Sequence, residues 1–508
     1  MSHFSARIAL AALGWLVSTA VTATNGYFPH GFSLSQKALG GAGTALVEDA
    51  LIVSINPAGM VWAGNSTEAG LSLFQPIRDH RATERGENAE SGIVKISPGQ
   101  IRSGNELFPI PAFSYNRLWG ERYSWGISAY GKGGMNTEYS GGSAIFGENL
   151  PGFEAQCDGT FGGGDPQGAD NAGFCGNSRA LSGVDLAIMF IAPSMSMRIG
   201  EHSSIGVAPL LALSRFAAQG LGAFAAFSNQ PDKVSDNGHE LSYGGGYRIG
   251  FLTGAGKAVS LGASYQSRVW MQAFDDYAGL FAEQGDFDIP ETWNAGVALH
   301  LFENWDLVYD YQYMDYNQVR SVGNPLDPNR FVNECAIPRL FASVAPGLGS
   351  TEPSGACLGA ATGPGFGWQE MEVHKVGVQY RWGPHRLRAG YSVADSQPIP
   401  SSEVLFNILA PGVIEEHFTA GISWRWRPGF YIEAAAMYAP QNPVRGKNPL
   451  SNTDVGVLGL AGEGLGLDLI TDLLGQDTSE AFGTDADDQD IILNMRQYEL
   501  TIGVAWRY

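Results

Sequence analysis

Four cysteines, three well-separated cations and two apolar loop runs are the residues whose types and spacing could do chemistry in this chain. Cys157 and Cys175 form one local pair, and Cys335 and Cys357 another, both within Gly/Pro/Asn-rich stretches. In an exported chain such pairs read as two loop disulfides. Metal binding is the weaker alternative, because neither pair has CxxC spacing or a neighbouring His; no metal is expected. Lys132, Arg268 and Lys375 could each hold a carboxylate through a charge-assisted hydrogen bond, and the sequence does not choose among them. The run Leu221-Gly-Ala-Phe224-Ala-Ala-Phe227 and a second run containing Leu458, Leu460, Leu465 and Leu467 are apolar where loops should be polar. Exposed apolar patches mark binding sites, whereas loops packing on one another would bury the same residues.

Catalysis has no comparable footing. The patterns G-x-S-x-G, H-E-x-x-H and G-x-x-x-x-G-K-[ST] do not occur. Gly220-x-Gly222-x-x-Ala225 lacks the buried strand and βαβ unit that a dinucleotide fingerprint requires. The cluster Asp485, Asp487, Asp488 and Asp490 reads as solvated loop in preference to a divalent-cation site. A formal charge of −21, from 30 basic against 51 acidic residues, excludes the basic footprint of nucleic-acid binding. The sequence therefore points to binding, with no enzyme activity and no cofactor expected.

The elements that must position these residues are strands. In the last eleven residues Tyr498, Leu500, Ile502, Val504, Trp506 and Tyr508 share one parity, while Glu499, Thr501, Gly503, Ala505 and Arg507 share the other. Alternate side chains of a strand point to opposite faces, so one face is apolar and the other small or charged. The same period predicts fourteen strands, near 66–77, 106–117, 121–135, 183–199, 203–216, 240–253, 258–272, 290–301, 304–314, 367–382, 386–393, 414–426, 429–440 and 494–508. Six tight turns alternate strictly with seven long loops. Outer-membrane barrels sort their connections in this way, with short periplasmic turns and long extracellular loops. An all-β transmembrane antiparallel barrel is the expected fold, with charge-paired residues such as Asp306, Asp310, Arg388 and Glu499 facing inward.

The ends and the composition agree. Arg7, the apolar run from Ile8 to Val17 and Val21-Thr22-Ala23 read as a signal peptide over 1–23, cleaved after Ala23. The run is shorter than the about 20 residues a spanning helix needs. A content of 44% hydrophobic residues with 68 Gly and a mean hydropathy of −0.07 suits a barrel, whose lipid face occupies alternate residues.

Residues 24–65 do not alternate and are too few and turn-rich to form a core alone. Fourteen strands enclose more space than their own side chains fill, so this segment is expected inside the barrel. Here Gly40-Gly-Ala-Gly-Thr-Ala45, Glu48-Asp49 and Asn56-Pro57-Ala58-Gly59-Met60 resemble the N-terminal hatch of the FadL/TodX family of outer-membrane fatty acid and hydrocarbon transporters. Weaker matches follow in order: Gly131-Lys-Gly-Gly-Met135, Gly262 to Val269, Ile289-Pro290, Trp368 with Gly377 to Arg381, Arg388 to Tyr391 and Asp395 to Pro400.

The resemblance implies a 14-stranded barrel over 66–508, plugged by a hatch over 24–65. It further implies passive uptake of a hydrophobic small molecule, caught in an apolar groove among the extracellular loops and moved to an internal pocket. The molecule would leave sideways at a kink in the third strand, for which Gly131, Gly133 and Gly134 are the candidates. Glycines weaken ladder pairing and permit a bulge. Asn56, Pro57, Ala58 and Gly59 would shape the hatch; Tyr27, Phe28 and Phe32, with Arg268 and Lys375, are pocket candidates. Outer-membrane lipid, lipopolysaccharide and the barrel assembly machinery are the expected partners of a monomer in the Gram-negative outer membrane. A general aqueous porin, an outer-membrane lipid-modifying enzyme and a surface adhesin are the competing readings.

Overall fold

A strand with one face in lipid cannot leave its backbone edge unpaired, because hydrocarbon offers no hydrogen bonds. The computed structural model of the chain describes residues 25–83, 94–95, 99–140, 145–146, 181–344, 349–450 and 489–508. In it that requirement is met by closure. Among the described residues fourteen long strands form the wall: β1 (Ser66–Ala82), β2 (Phe108–Trp119), β3 (Tyr123–Asn136), β4 (Leu181–Ile199), β5 (Ser203–Gln219), β6 (Glu240–Thr253) and β7 (Val259–Gln266), then β8 (Thr292–Leu301), β9 (Trp305–Met314), β10 (Met371–Trp382), β11 (His385–Ala394), β12 (Glu416–Arg427), β13 (Phe430–Lys447) and β14 (Asp490–Arg507). Each pairs antiparallel with its neighbour in sequence, and β1 closes the ring by pairing with β14 from Ser66↔Arg507 to Ala82↔Ile491.

The alternation read in the last strand is realised. Tyr498, Leu500, Ile502, Val504 and Trp506 are exposed on the outer wall, while Gln497, Glu499 and Thr501 are buried inside. No helix among the described residues is long and apolar enough to cross a membrane.

Strand ends depart from the sequence pattern in instructive places. β1 and β13 run on to Ala82 and Lys447, and β14 begins at Asp490, so these strands extend past the apolar band that the pattern detects. β7 ends at Gln266 instead of 272: Ser267 to Val269 leave the ladder, and Trp270–Met271 pair back onto Gly245 and Gly244 of β6. Ile289, expected near the start of the eighth strand, makes only an isolated bridge to Val269 before β8 begins at Thr292. Cys335 and Cys357 form a disulfide within the loop between β9 and β10. Cys157 and Cys175, the signal peptide, and Leu458, Leu460, Leu465 and Leu467 lie outside the described residues.

Residues 25–65 lie inside the ring and bond to strands around its circumference. Lys37 pairs with Glu499 of β14 and donates to Ser72 of β1 at 2.7 Å. The amides of Gly43 and Thr44 donate to the Asp310 carboxylate of β9, each at 2.8 Å, and the Thr44 hydroxyl does so at 2.7 Å. Glu48 accepts from Arg388 of β11 at 2.9 Å and forms an ion pair with Arg386 of the same strand at the same distance. Arg248 of β6 donates to the Val53 carbonyl at 2.9 Å, and Asn116 of β2 donates to the carbonyls of Met60 and Gly64 at 2.8 and 2.7 Å. Irregular backbone has no ladder to satisfy it, so inward polar side chains take that part.

Close approach also needs inward glycine. A Cβ on Gly250 of β6 would strike the Asn56 side chain, and one on Gly390 of β11 would strike the backbone of Leu39 and Gly40. Asp310→Ala should remove the acceptor of three hydrogen bonds and loosen the Gly43–Thr44 turn by about 3 kcal/mol. Amide exchange at those two residues should accelerate about a hundredfold, while the heat-modifiable gel mobility of the folded barrel is unchanged.

Candidate functional site

The third strand departs from a regular ladder at the glycines the sequence singles out. Against β4 its register runs from Tyr123↔Met197 to Gly131↔Met189 and resumes at Gly133↔Ile188, leaving Lys132 as an extra residue in a bulge. Against β2 the ladder covers only Tyr123↔Trp119 to Tyr130↔Ala112. Residues 131–136 of β3 therefore have no ladder partner on β2, and Phe108–Pro111 of β2 pair with β1 alone. Beyond this window the wall is rejoined, with the Gly104 amide on the Glu138 carbonyl at 2.7 Å and Asn105 on Asn136 at 3.1 Å.

The other lip of the window explains why it stays unzipped. Pro109 and Pro111 sit in an unbroken ladder with β1, so the positions their missing N–H groups would occupy face β3. Proline cannot donate to a ladder and is confined to edge positions. Pro109 and Pro111 were readable in the sequence as a proline pair of one parity and were missed there.

Inside the window stands the start of the N-terminal segment. The Gly134 amide donates to the Tyr27 carbonyl at 3.0 Å, and the side of Gly133 that lacks a Cβ rests on Tyr27 and Phe28. Tyr27 is fully buried, with its ring 4.7 Å from Phe28, 5.2 Å from Tyr316 and 5.8 Å from Trp368. Phe32 meets Tyr130 at 5.0 Å, and Tyr130 meets Phe190 at 6.0 Å. Aromatic rings thus line the lumen from the Tyr316 loop to the bulge. Beside them a cavity of about 20 Å³ is bounded by Phe74, Met135, Trp368, Leu409 and Met495. On the inward parity Ser124 and Ser128 of β3 give way to Tyr130, and Ser194 and Ser196 of β4 give way to Phe190, Ile188 and Leu186, a switch from polar to large apolar residues that could have marked this stretch beforehand.

Among the loops, Leu221 and Phe224 line an apolar cavity of about 50 Å³ with Phe216, Phe281, Leu358 and Phe406. Phe227 is buried nearby against Phe331, 5.6 Å away, and does not line it. These residues are covered by neighbouring loops and do not form an open groove. A larger apolar concavity, about 810 Å³, lies on the outer wall between Met195, Ile205, Phe251 and Trp293. Its side chains face lipid, so it is relief in the wall and no part of the lumen.

The three candidate cations are separated by the structure. Arg268 is committed to the loop after β7, with Asp288 at 2.6 Å and Asp286 at 3.4 Å. Lys375 lies inside and donates to the His30 carbonyl at 3.0 Å. Lys132 lies against the aromatic rings at the window. Asn56 caps the turn at Ala58 with its side-chain oxygen and donates to the carbonyls of Thr44 and Phe251, so the Asn-Pro-Ala motif binds segment to wall.

Asp286, in the loop beyond the membrane-spanning strands, has its pKa pushed up to about 6 by burial and by the neighbouring Asp288, with Arg268 opposing. An acid whose pKa is raised by folding stabilises the folded loop when protonated, so protection is greatest below the ordinary aspartate value of about 3.9. It should decline as pH rises through about 6. Protection factors across loop 273–289 should show that decline, and Asp286→Asn should flatten it.

The arrangement has counterparts. The family model for outer membrane protein transport protein (OMPP1/FadL/TodX) matches residues 171–459, more than half of the chain. The toluene transporter TodX of Pseudomonas putida superposes with a TM-score of 0.56 at 14% identity, over 96% of this chain and 100% of that one. The toluene transporter TbuX of Ralstonia pickettii gives 0.52 at 14%, over 94% and 99%. A Pseudomonas aeruginosa FadL homologue gives 0.54 at 11%, over 95% and 99%. Such identities establish likeness of fold. No curated protein matches the sequence. With the family model spanning most of the wall and the whole barrel superposing on solved members, the chain belongs to the FadL/TodX family of outer-membrane β-barrel transport proteins.

Proposed function

We propose that the protein takes up hydrophobic compounds passively through a barrel plugged by residues 25–65 acting as a hatch, and releases them sideways through the β2–β3 window. The observation that carries this reading is the window itself: a break in hydrogen bonding confined to residues 131–136, held open by Pro109 and Pro111 and lined from inside by aromatic rings. Leaving an apolar lumen for water costs about 25 cal/mol per Å² of solute surface. Leaving it for lipid costs almost nothing, so a hydrophobic solute has a downhill path only through the wall. The apolar cavity at Leu221 and Phe224 serves on this reading as the capture end, and the ring cluster of Tyr27, Phe28 and Phe32 as the internal pocket.

The hatch supports the same reading against that of an aqueous pore. Buried partners from β1, β2, β6, β9, β11 and β14 hold it across the lumen. The Asn56-Pro57-Ala58-Gly59 turn is on this reading a fixed point, pressed against Gly206 and Gly250 of the wall.

A deletion strain carrying the gene should take up labelled oleate, hexadecane or toluene, and the same strain without it should not. Replacing Gly133 and Gly134 with leucine should drive side chains into Tyr27 and the window, lowering uptake by about tenfold or more while the folded-barrel gel mobility persists. Unchanged uptake by that variant would refute lateral exit.

A further inference from the structure

Lys132, the extra residue of the β3 bulge, has surroundings unlike those of most other lumen cations. Its ammonium lies 3.7 Å from the centre of the Phe28 ring, with the rings of Phe32 at 5.5 Å and Phe190 at 5.8 Å. The residue is 1% exposed, yet among the described residues no carboxylate or other acceptor hydrogen-bonds its ammonium. The charges that act on it are themselves positive, Arg248 and Lys375. Arg248 is equally buried and is held by neutral groups only: the Val53 carbonyl and the Tyr130 hydroxyl at 2.9 Å each, and Gln266 at 2.5 Å. Its Nε and the hydroxyl of Tyr27 are buried without a hydrogen-bond partner. By contrast Lys37 has Glu499, Arg388 has Glu48 and Arg268 has Asp288.

A chain with 51 acidic residues thus leaves two buried cations, each without a carboxylate partner and close enough for one to act on the other, beside a cluster of aromatic rings. Ring faces attract an ammonium, but they return less than its lost hydration costs. The deficit is removed when an anion enters, and unpaired donors around it add charge-assisted hydrogen bonds. An uncharged hydrocarbon leaves the deficit in place.

We infer that Lys132 is the specificity-determining residue of this channel, favouring solutes that join an apolar body to a single carboxylate over uncharged hydrocarbons of the same shape. The inference rests on the transport reading above and goes beyond it in choosing the substrate class. The body can be an alkyl chain or an alkylated ring, and the test carries one arm for each. Equilibrium dialysis of the purified full-length protein should compare dodecanoate with dodecanol, and 4-butylbenzoate with butylbenzene. In at least one arm the acid should bind about tenfold or more tightly than its neutral counterpart. Lys132→Met should abolish the preference while leaving the neutral compound's affinity unchanged, and Lys132→Arg should keep it. Equal binding of acid and neutral compound by the wild-type protein overturns the inference without any variant and leaves the transport reading standing. A preference that survives in Lys132→Met overturns it too, as does loss of both ligands, which would mark Lys132 as structural only. Binding and uptake of neither acid nor neutral compound would remove the transport reading itself.

Discussion

Every main feature of this structure follows from one constraint: hydrocarbon accepts no unpaired backbone group. It forces β1 to meet β14 along its whole length, so that the ring of wall strands closes. It also makes the β2–β3 window informative, since an unzipped seam in a membrane wall persists only if its polar groups are otherwise satisfied. On the β2 lip two prolines remove the donors altogether. On the β3 lip the Gly134 amide finds the Tyr27 carbonyl, so the N-terminal segment supplies an acceptor where the neighbouring strand does not.

The same constraint explains the charge inside the barrel. Fourteen strands enclose more space than their side chains fill, and the filler is irregular chain whose amides and carbonyls lack a ladder. Asp310, Arg248 and Asn116 serve as surrogate partners for that backbone, while Glu48 and Lys37 bring charges of their own into Arg388 and Glu499. Buried ion pairs add little net stability but make a misplaced segment costly, so they set where it sits more than how tightly the barrel holds. The uncompensated pair Lys132 and Arg248 stands out against this pattern.

Much of the wall was legible from residue types alone. Period-2 alternation located all fourteen strands, because lipid imposes the pattern on each strand separately and needs no knowledge of the partner. Where alternation is not enforced by lipid the reading slipped: β1, β13 and β14 extend beyond the band, and β7 stops early so that Trp270 and Met271 can pair with β6. Of the site, Gly131 to Gly134 were visible as a glycine run and Tyr27, Phe28 and Phe32 as aromatics in a turn-rich segment. Tyr316, Phe190 and Trp368 converge on them from three other regions of the chain, and no local pattern announces that meeting.

The cations show the division most clearly. Read in the sequence, Lys132, Arg268 and Lys375 were equivalent, since each is a basic residue near a strand and nothing local ranks them. The fold places Arg268 between two aspartates, Lys375 against a backbone carbonyl and Lys132 among rings with no counter-charge. What the sequence by itself determined was the barrel, its strand number and the alternation of short and long connections, because each depends on composition and periodicity along one stretch of chain. Only the tertiary structure decided where the β2–β3 ladder breaks and which of the three candidate cations lies among rings, because pairing and burial are properties of residues brought together from distant positions.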